Sequence, residues 1–134
     1  MRKAFKIATT IIVSPILVVV AYICFLWLTY ISDPISSGEK YGFTIGATKE
    51  ETYKDIASVY KQYPNIKIYI PFGPRVGDNM TISPTKNNFK QAKMHNHWEL
   101  LLDGDDSYFN IIRLNHENNV LTKIYRHRQY FELP

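Results

Sequence analysis

The sequence predicts an α+β protein in which an N-terminal transmembrane helix precedes a small domain, with one or two helices packed on an antiparallel β-meander. Three observations predict this class. Residues 7–32 contain no Asp, Glu, Lys, Arg or His and are mostly Ile, Val, Leu and aromatic. A capped amphipathic helix pattern begins at Thr48. Near the C-terminus, three segments with strand-like patterns are separated by turn sequences.

The apolar run is long enough for a spanning helix, which needs about 20 residues. Pro15 predicts a kink within it, and Trp27 and Tyr30 suit the aromatic belt at the outer membrane interface. The chain is therefore divided into a cytoplasmic stub (1–6), a transmembrane signal-anchor helix (7–32), a linker (33–40) and an extracytoplasmic α+β domain (41–134).

The charges that flank the apolar run predict its orientation. Arg2, Lys3 and Lys6 precede it, whereas Asp33 and Glu39 follow it, so the positive-inside rule predicts a cytoplasmic N-terminus. The predicted location is the inner membrane, crossed once, with the domain in the periplasm. A cleaved signal peptide is the alternative, although its apolar region is usually only about 7–15 residues long. Without the three N-terminal cations, the net charge of +4 falls to nearly zero.

The first element of the domain is a helix that starts after Thr48 and ends near Gln62, before Pro64. Thr48 and Glu51 have the spacing of a capping box. The segments that follow predict strands at Ile66–Ile70 and Met80–Ser83 and a helical turn at Asn88–Ala92. The meander is predicted from Trp98–Leu102, a turn at Asp103–Asp106, a strand at Tyr108–Leu114, a turn at His116–Asn119 and a strand at Val120–Arg128.

Two of these segments are similar to a known family. The GATKEE sequence from Gly46 to Glu51, and the end of the chain with Trp98 and LNHENNVLTKI, resemble the small envelope domain of the SmpA/OmlA type, the BamE-like fold. The resemblance implies an α+β fold and a small extracytoplasmic module that binds other proteins. A fold analogy by itself implies no activity.

Motifs for catalysis are absent from the sequence. It contains no Gly-x-Ser-x-Gly, and its one cysteine, Cys24, lies in the apolar run. We therefore predict that the protein is not an enzyme and carries no cofactor. His95, His97 and Glu99 alternate, and on a strand they would share one face that could hold zinc. A solvated strand face explains the same pattern and is the interpretation we prefer.

The residues predicted to bind a protein partner form a basic and aromatic cluster at the end of the last strand: Lys123, Tyr125, Arg126, Arg128 and Tyr130. Tyrosine and arginine are typical interface hot spots. The predicted location outside the cytoplasm excludes nucleic acid. The alternative is an edge strand whose charges prevent aggregation. Tyrosines are also frequent elsewhere in the domain, at positions 41, 53, 60, 63, 69 and 108.

Together these observations predict a membrane-anchored periplasmic protein-binding module. Its partners would be the lipid bilayer and a protein, and the oligomeric state stays open. The specific case we favour is an immunity protein that neutralises an envelope-targeted toxin. The alternatives are an accessory protein of envelope assembly, or a tethered metal-binding protein or enzyme that uses the His95/His97/Glu99 face.

Overall fold

A computed structural model describes residues 2–75, 77–104 and 109–129, with the backbone alone for residues 2–12 and for Tyr60. Tyr130 lies outside the described residues. The chain forms two compact units, which divide after Tyr30. The first contains helix α1 (Arg2–Thr29), and the second comprises residues 31–128.

Helix α1 includes Pro15 and ends where the Tyr30 amide donates to the Leu26 carbonyl at 3.0 Å. Trp27 is 78% exposed and Tyr30 is 50% exposed. Over the residues with described side chains, the structure holds no helix that is both long and apolar enough for a membrane crossing.

This finding corrects the predictions that depended on a membrane span. The predicted transmembrane signal-anchor helix at residues 7–32 is not confirmed. The predicted single-pass inner-membrane location, with a cytoplasmic N-terminus and a periplasmic domain, depended on that helix and is not confirmed either. The kink predicted at Pro15 and the interfacial positions predicted for Trp27 and Tyr30 were assigned on the assumption of that span. The α+β class and the antiparallel sheet of the domain are unaffected.

Residues 31–128 form a six-stranded antiparallel sheet with the spatial order β1-β8-β7-β6-β4-β5. Its strands are β1 (Ile31–Ile35), β4 (Lys67–Pro71), β5 (Asn79–Ile82), β6 (His97–Leu101), β7 (Asn110–Glu117) and β8 (Val120–Arg128). A separate hairpin consists of β2 (Glu39–Lys40) and β3 (Phe43–Thr44). The predicted meander is present as β6, β7 and β8, and its last turn has positive φ at Asn118 and Asn119, as a two-residue hairpin turn requires.

Helix α2 (Lys49–Gln62) begins as predicted. Thr48 accepts a hydrogen bond from the Glu51 amide, and the Glu51 carboxylate accepts one from the Thr48 amide at 2.8 Å, so both halves of the capping box form. A 3₁₀ turn (Lys86–Asn88) leads into the short helix α3 (Phe89–Lys93). Ile56 and Val59 of α2 are buried in the core, which lies between one face of the sheet and the helices α2 and α3.

The segment predicted to be a linker, residues 33–40, differs in the structure. Asp33, Pro34 and Ile35 belong to β1, which pairs with β8 at the edge of the sheet. Proline lacks an N–H donor, and an edge strand tolerates it because one side of that strand needs no partner. The Pro34 in the DPISSG sequence therefore marks an edge strand rather than a connection.

Candidate functional site

The basic and aromatic cluster predicted on β8 is divided between the two faces of the sheet. Lys123 and Tyr125 lie on the face opposite the core, where Lys123 is exposed, whereas Arg126 and Ile124 lie on the core face and are buried. Arg128 is half-buried. Because β8 lies between β1 and β7, it is not the charged edge strand of our alternative interpretation.

On the face opposite the core, paired side chains connect neighbouring strands. Arg113 of β7 contacts Glu99 of β6 with an Nε to Oε1 distance of 2.6 Å. The same guanidinium lies over the ring of Tyr125, 5.7 Å from its centroid. The Tyr125 hydroxyl is 3.0 Å from Ser32 Oγ on β1. This row of contacts stabilises the register of the strands.

The three candidate metal ligands are not assembled into one site. His95 precedes β6, with its ring 5.9 Å from that of Phe72. His97 Nδ1 is 3.0 Å from the Asn115 side-chain oxygen, and Glu99 is held by Arg113. Within the ranges that the structure describes, no three His, Cys, Asp or Glu side chains come together as metal ligands could.

The most unusual side chain in the domain is that of Arg126, which is 4% exposed. Its guanidinium makes three hydrogen bonds to neutral oxygens: Nη1 donates to the Ile111 carbonyl at 3.0 Å and to the His127 carbonyl at 2.5 Å, and Nη2 donates to the Asn110 side chain. None of the ion pairs among the described residues involves Arg126. These bonds use three of the five guanidinium N–H donors, and the Tyr63 hydroxyl also hydrogen-bonds the group.

The buried position of Arg126 alters the pKa of its guanidinium. Burial lowers the pKa of the guanidinium, and the hydroxyl of Tyr63, which hydrogen-bonds it, opposes that effect. The nearby charge of Arg128 lowers the pKa further. An arginine stays protonated in proteins even so, and a buried charge is costly unless an opposite charge pairs with it. The site therefore holds a positive charge that would gain from a bound anion.

Arg126 borders a cavity of about 310 Å³ between α2, the β2–β3 hairpin and the core face of the sheet. Its walls are partly aromatic, from Tyr41 and Tyr63, and partly aliphatic, from Val59 and Ile112. The remaining lining residues are Gly42, Ser58, Gln62 and Leu102. We call this cavity, with Arg126 in its wall, the Arg126 pocket.

The hairpin wall of the pocket contains a residue in an unfavourable backbone conformation. Tyr41 has φ of 56° and Gly42 has φ of 82°, so both central residues of the two-residue turn are left-handed. Such turns favour Asn, Asp or Gly at the first position, and a tyrosine there costs about 1–2 kcal/mol. At Gly42, an added Cβ would also lie 3.3 Å from Val59 Cγ2. Conformations of this kind concentrate at functional sites.

The structure thus contains a small α+β domain with a cationic, partly aromatic cavity beside α2. No family model, curated protein or solved structure matches the chain. The resemblance to the SmpA/OmlA domain therefore stays a prediction, and the pocket must be interpreted from its own chemistry.

Sequence reasoning selected Arg126 and noted Tyr41 and Tyr63 among the frequent tyrosines, but did not bring them together. It missed Ser58 and Gln62, which appear as ordinary polar positions on α2. The signal for the hairpin was the Tyr41–Gly42 pair between two short polar-apolar segments. A glycine in such a pair predicts a tight turn, and that turn places the Tyr41 ring against the end of α2.

Proposed function

We propose that this protein is a binding module that captures a carboxylate of a partner protein in the Arg126 pocket. The observation that carries the proposal is a buried guanidinium bonded only to neutral oxygens among the described residues, beside an open cavity. Arginine recognises carboxylates through parallel N–H donors. A ligand carboxylate would therefore supply an opposite charge, which no described residue provides to Arg126 in an ion pair.

Size and lining favour a protein ligand over a large cofactor. A cavity of about 310 Å³ lies at the lower end of the range of about 300–1,000 Å³ for ligand pockets, which suits one residue. Tyr41 and Tyr63 provide rigid amphipathic contact surfaces, and tyrosine and arginine dominate the binding energy of many interfaces. The carboxylate could belong to a chain terminus or to an acidic side chain, and both present the same chemistry to Arg126.

The experiment is an NMR titration of the full, ¹⁵N-labelled chain with two matched pairs of probes. Acetyl-Gly-Leu is compared with its C-terminal amide, and acetyl-Glu N-methylamide is compared with the corresponding Gln compound. Hydrogen bonds to charged groups contribute about 1.5–3 kcal/mol, so we expect the acid of at least one pair to bind about tenfold or more tightly than its neutral partner. The pair that shows the preference identifies the source of the carboxylate.

Chemical-shift changes should centre on the amides of Gly42, Ser58, Gln62 and Tyr63, which line the pocket. Arg126→Lys keeps the charge but removes the planar fork, and should abolish the preference for acids. The matched control is Lys123→Gln, which removes one charge from an exposed position of the same strand. Equal affinity for acid and amide in the wild-type chain contradicts the proposal, whether or not the Arg126 variant folds.

The narrower functions predicted from the sequence stay predictions. Neutralising a toxin or assisting envelope assembly would each require a protein partner, which this pocket could serve. The immunity function was favoured partly because of a predicted membrane anchor, and the part of the chain that the structure describes holds no helix long and apolar enough to be one. No contact in the described residues favours the metal-binding or enzymatic alternative.

A further inference from the structure

Strand β1 places a competing carboxylate directly beside the Arg126 pocket. Asp33 of β1 and Arg126 of β8 are paired in the antiparallel register. Directly opposed side chains project from the same face, about 4.5–5.5 Å apart at Cβ. An Asp and an Arg that face each other would normally form an ion pair, because a hydrogen bond between two charged groups is stronger than one between neutral groups. Yet the described ion pairs contain none between these two residues.

The Asp33 carboxylate is instead held by the β2–β3 hairpin. Its Oδ2 accepts hydrogen bonds from Lys40 Nζ at 2.6 Å and from the Tyr41 hydroxyl at 2.8 Å. These two bonds lower the pKa of Asp33, so the group is a carboxylate near neutral pH. Both partners come from one short hairpin, and Tyr41 is the residue with φ of 56°. The residue with the strained backbone thus supplies one of the two donors to Asp33.

Tyr41 is also coupled to the arginine. Burial raises the pKa of Tyr41, and the hydrogen bond and charge of Asp33 raise it further, whereas the charge of Arg126 lowers it. The Tyr41 hydroxyl therefore lies within electrostatic range of both groups, while its ring lines the pocket. Tyr41 thus hydrogen-bonds the Asp33 carboxylate and lines the same cavity as Arg126.

We propose that Lys40 and Tyr41 are positioning residues that hold Asp33 away from Arg126, and so keep the guanidinium open to the carboxylate of a partner. This inference rests on the proposed function. Without the two donors, Asp33 would turn toward Arg126 and act as an intramolecular competitor. The apparent Kd is the intrinsic Kd divided by the fraction of sites that are open, so Asp33 bound to Arg126 nine-tenths of the time would weaken ligand binding about tenfold.

The test uses the acid probe that the wild-type chain prefers, with three variants of the full chain. Lys40→Gln combined with Tyr41→Phe removes both donors but keeps the aromatic wall, and should weaken binding about tenfold. Adding Asp33→Asn to that pair removes the competitor, and should restore the wild-type affinity. Asp33→Asn alone should bind at least as tightly as wild type. The dispersed amide spectrum of each variant reports its fold independently of binding.

Loss of affinity in the Lys40/Tyr41 variant followed by rescue with Asp33→Asn supports the inference. Loss without rescue overturns it, because the two residues would then contact the ligand themselves. Unchanged affinity in the Lys40/Tyr41 variant also overturns it, as does weaker binding by Asp33→Asn alone. If the wild-type chain does not distinguish acid from amide, the proposed function has failed instead, and the two failures are thereby separated.

Discussion

Protonation of His116 should control the acid stability of the domain. This side chain is 1% exposed and lies on β7 at the irregularity in the register with β8. Its ring packs against Trp98 with centroids 4.4 Å apart, and its Nδ1 is 3.2 Å from the Asn96 carbonyl. Its Nε2 has no hydrogen-bond partner among the described residues. A proton on Nε2 would therefore be buried without an acceptor.

The pKa of His116 falls from 6.5 to about 4. Burial is the largest cause, and the positive charges of Lys49 and His97 add to it, whereas the bond to Asn96 opposes it. At about 1.4 kcal/mol per pKa unit, the difference corresponds to about 3 kcal/mol. Because the folded pKa is below the unfolded one, the unfolded chain binds the proton first. This stability is present above pH 6.5, is lost as the pH falls toward about 4, and changes no further below that.

The assay is urea unfolding of the full chain at a series of pH values from about 7 to about 4, compared with His116→Leu. Carboxylates with a lowered pKa, such as those of Asp33 and Glu51, reduce the stability of both proteins as the pH falls. Their contributions cancel when the free energies of unfolding of the two proteins are subtracted. Over this pH range, the free energy of unfolding of the wild-type chain should fall by about 3 kcal/mol more than that of the variant. Lys123→Gln, at an exposed position on β8, is the matched control and should show the same dependence of stability on pH as the wild type.

An NMR titration of the His116 imidazole measures the same quantity without a variant. We expect the ring to stay neutral well below pH 6.5 and to gain its proton near pH 4 or on unfolding. A midpoint near 6.5, or identical pH profiles for wild type and His116→Leu, would refute the argument that burial without an Nε2 acceptor sets the acid limit.

Three further sets of substitutions test the described contacts by urea unfolding. Thr48→Ala removes the side chain that caps α2 and should cost about 1 kcal/mol, whereas Thr48→Ser should keep most of the stability; equal stability of both would contradict a role for the cap. Trp98→Phe, at a fully buried position, leaves space and removes an indole donor, and should cost about 2 kcal/mol or more; a neutral effect would contradict tight packing there. In a double-mutant cycle, Glu99→Gln and Arg113→Gln should show a coupling free energy of about 1 kcal/mol or less. Added salt should reduce this coupling. A coupling of zero would mean that the 2.6 Å contact between the two side chains contributes no stability.

Local sequence signals were enough to predict the elements whose bounds depend on neighbours in the chain. The capping box at Thr48 and Glu51 fixed the start of α2. The last strand was predicted at Val120–Arg128 and is found there, because the turn signal at Asn118–Asn119 that precedes it is local. Such signals need no knowledge of the rest of the fold.

Features that depend on distant contacts could not be predicted in this way. The pairing of β1 with β8 brings together residues more than 90 positions apart, such as Ser32 and Tyr125, and the Pro34 region therefore looked like a linker. Arg126 was selected for its charge and expected at a surface. Its burial arises from the packing of α2 and of the β2–β3 hairpin over the core face of β8, which no pattern within the strand encodes.

The most direct test of carboxylate capture is the NMR signal of the Arg126 guanidinium itself. With ¹⁵N-labelled arginine in the full chain, the preferred acid probe should shift the Arg126 side-chain N–H signals and protect them from exchange with water, because their protons become hydrogen-bonded to the ligand. The Arg113 signals, on the opposite face of the sheet, should not move, and the neutral amide should leave both unchanged. Binding of the acid without any change at Arg126 would contradict the central claim.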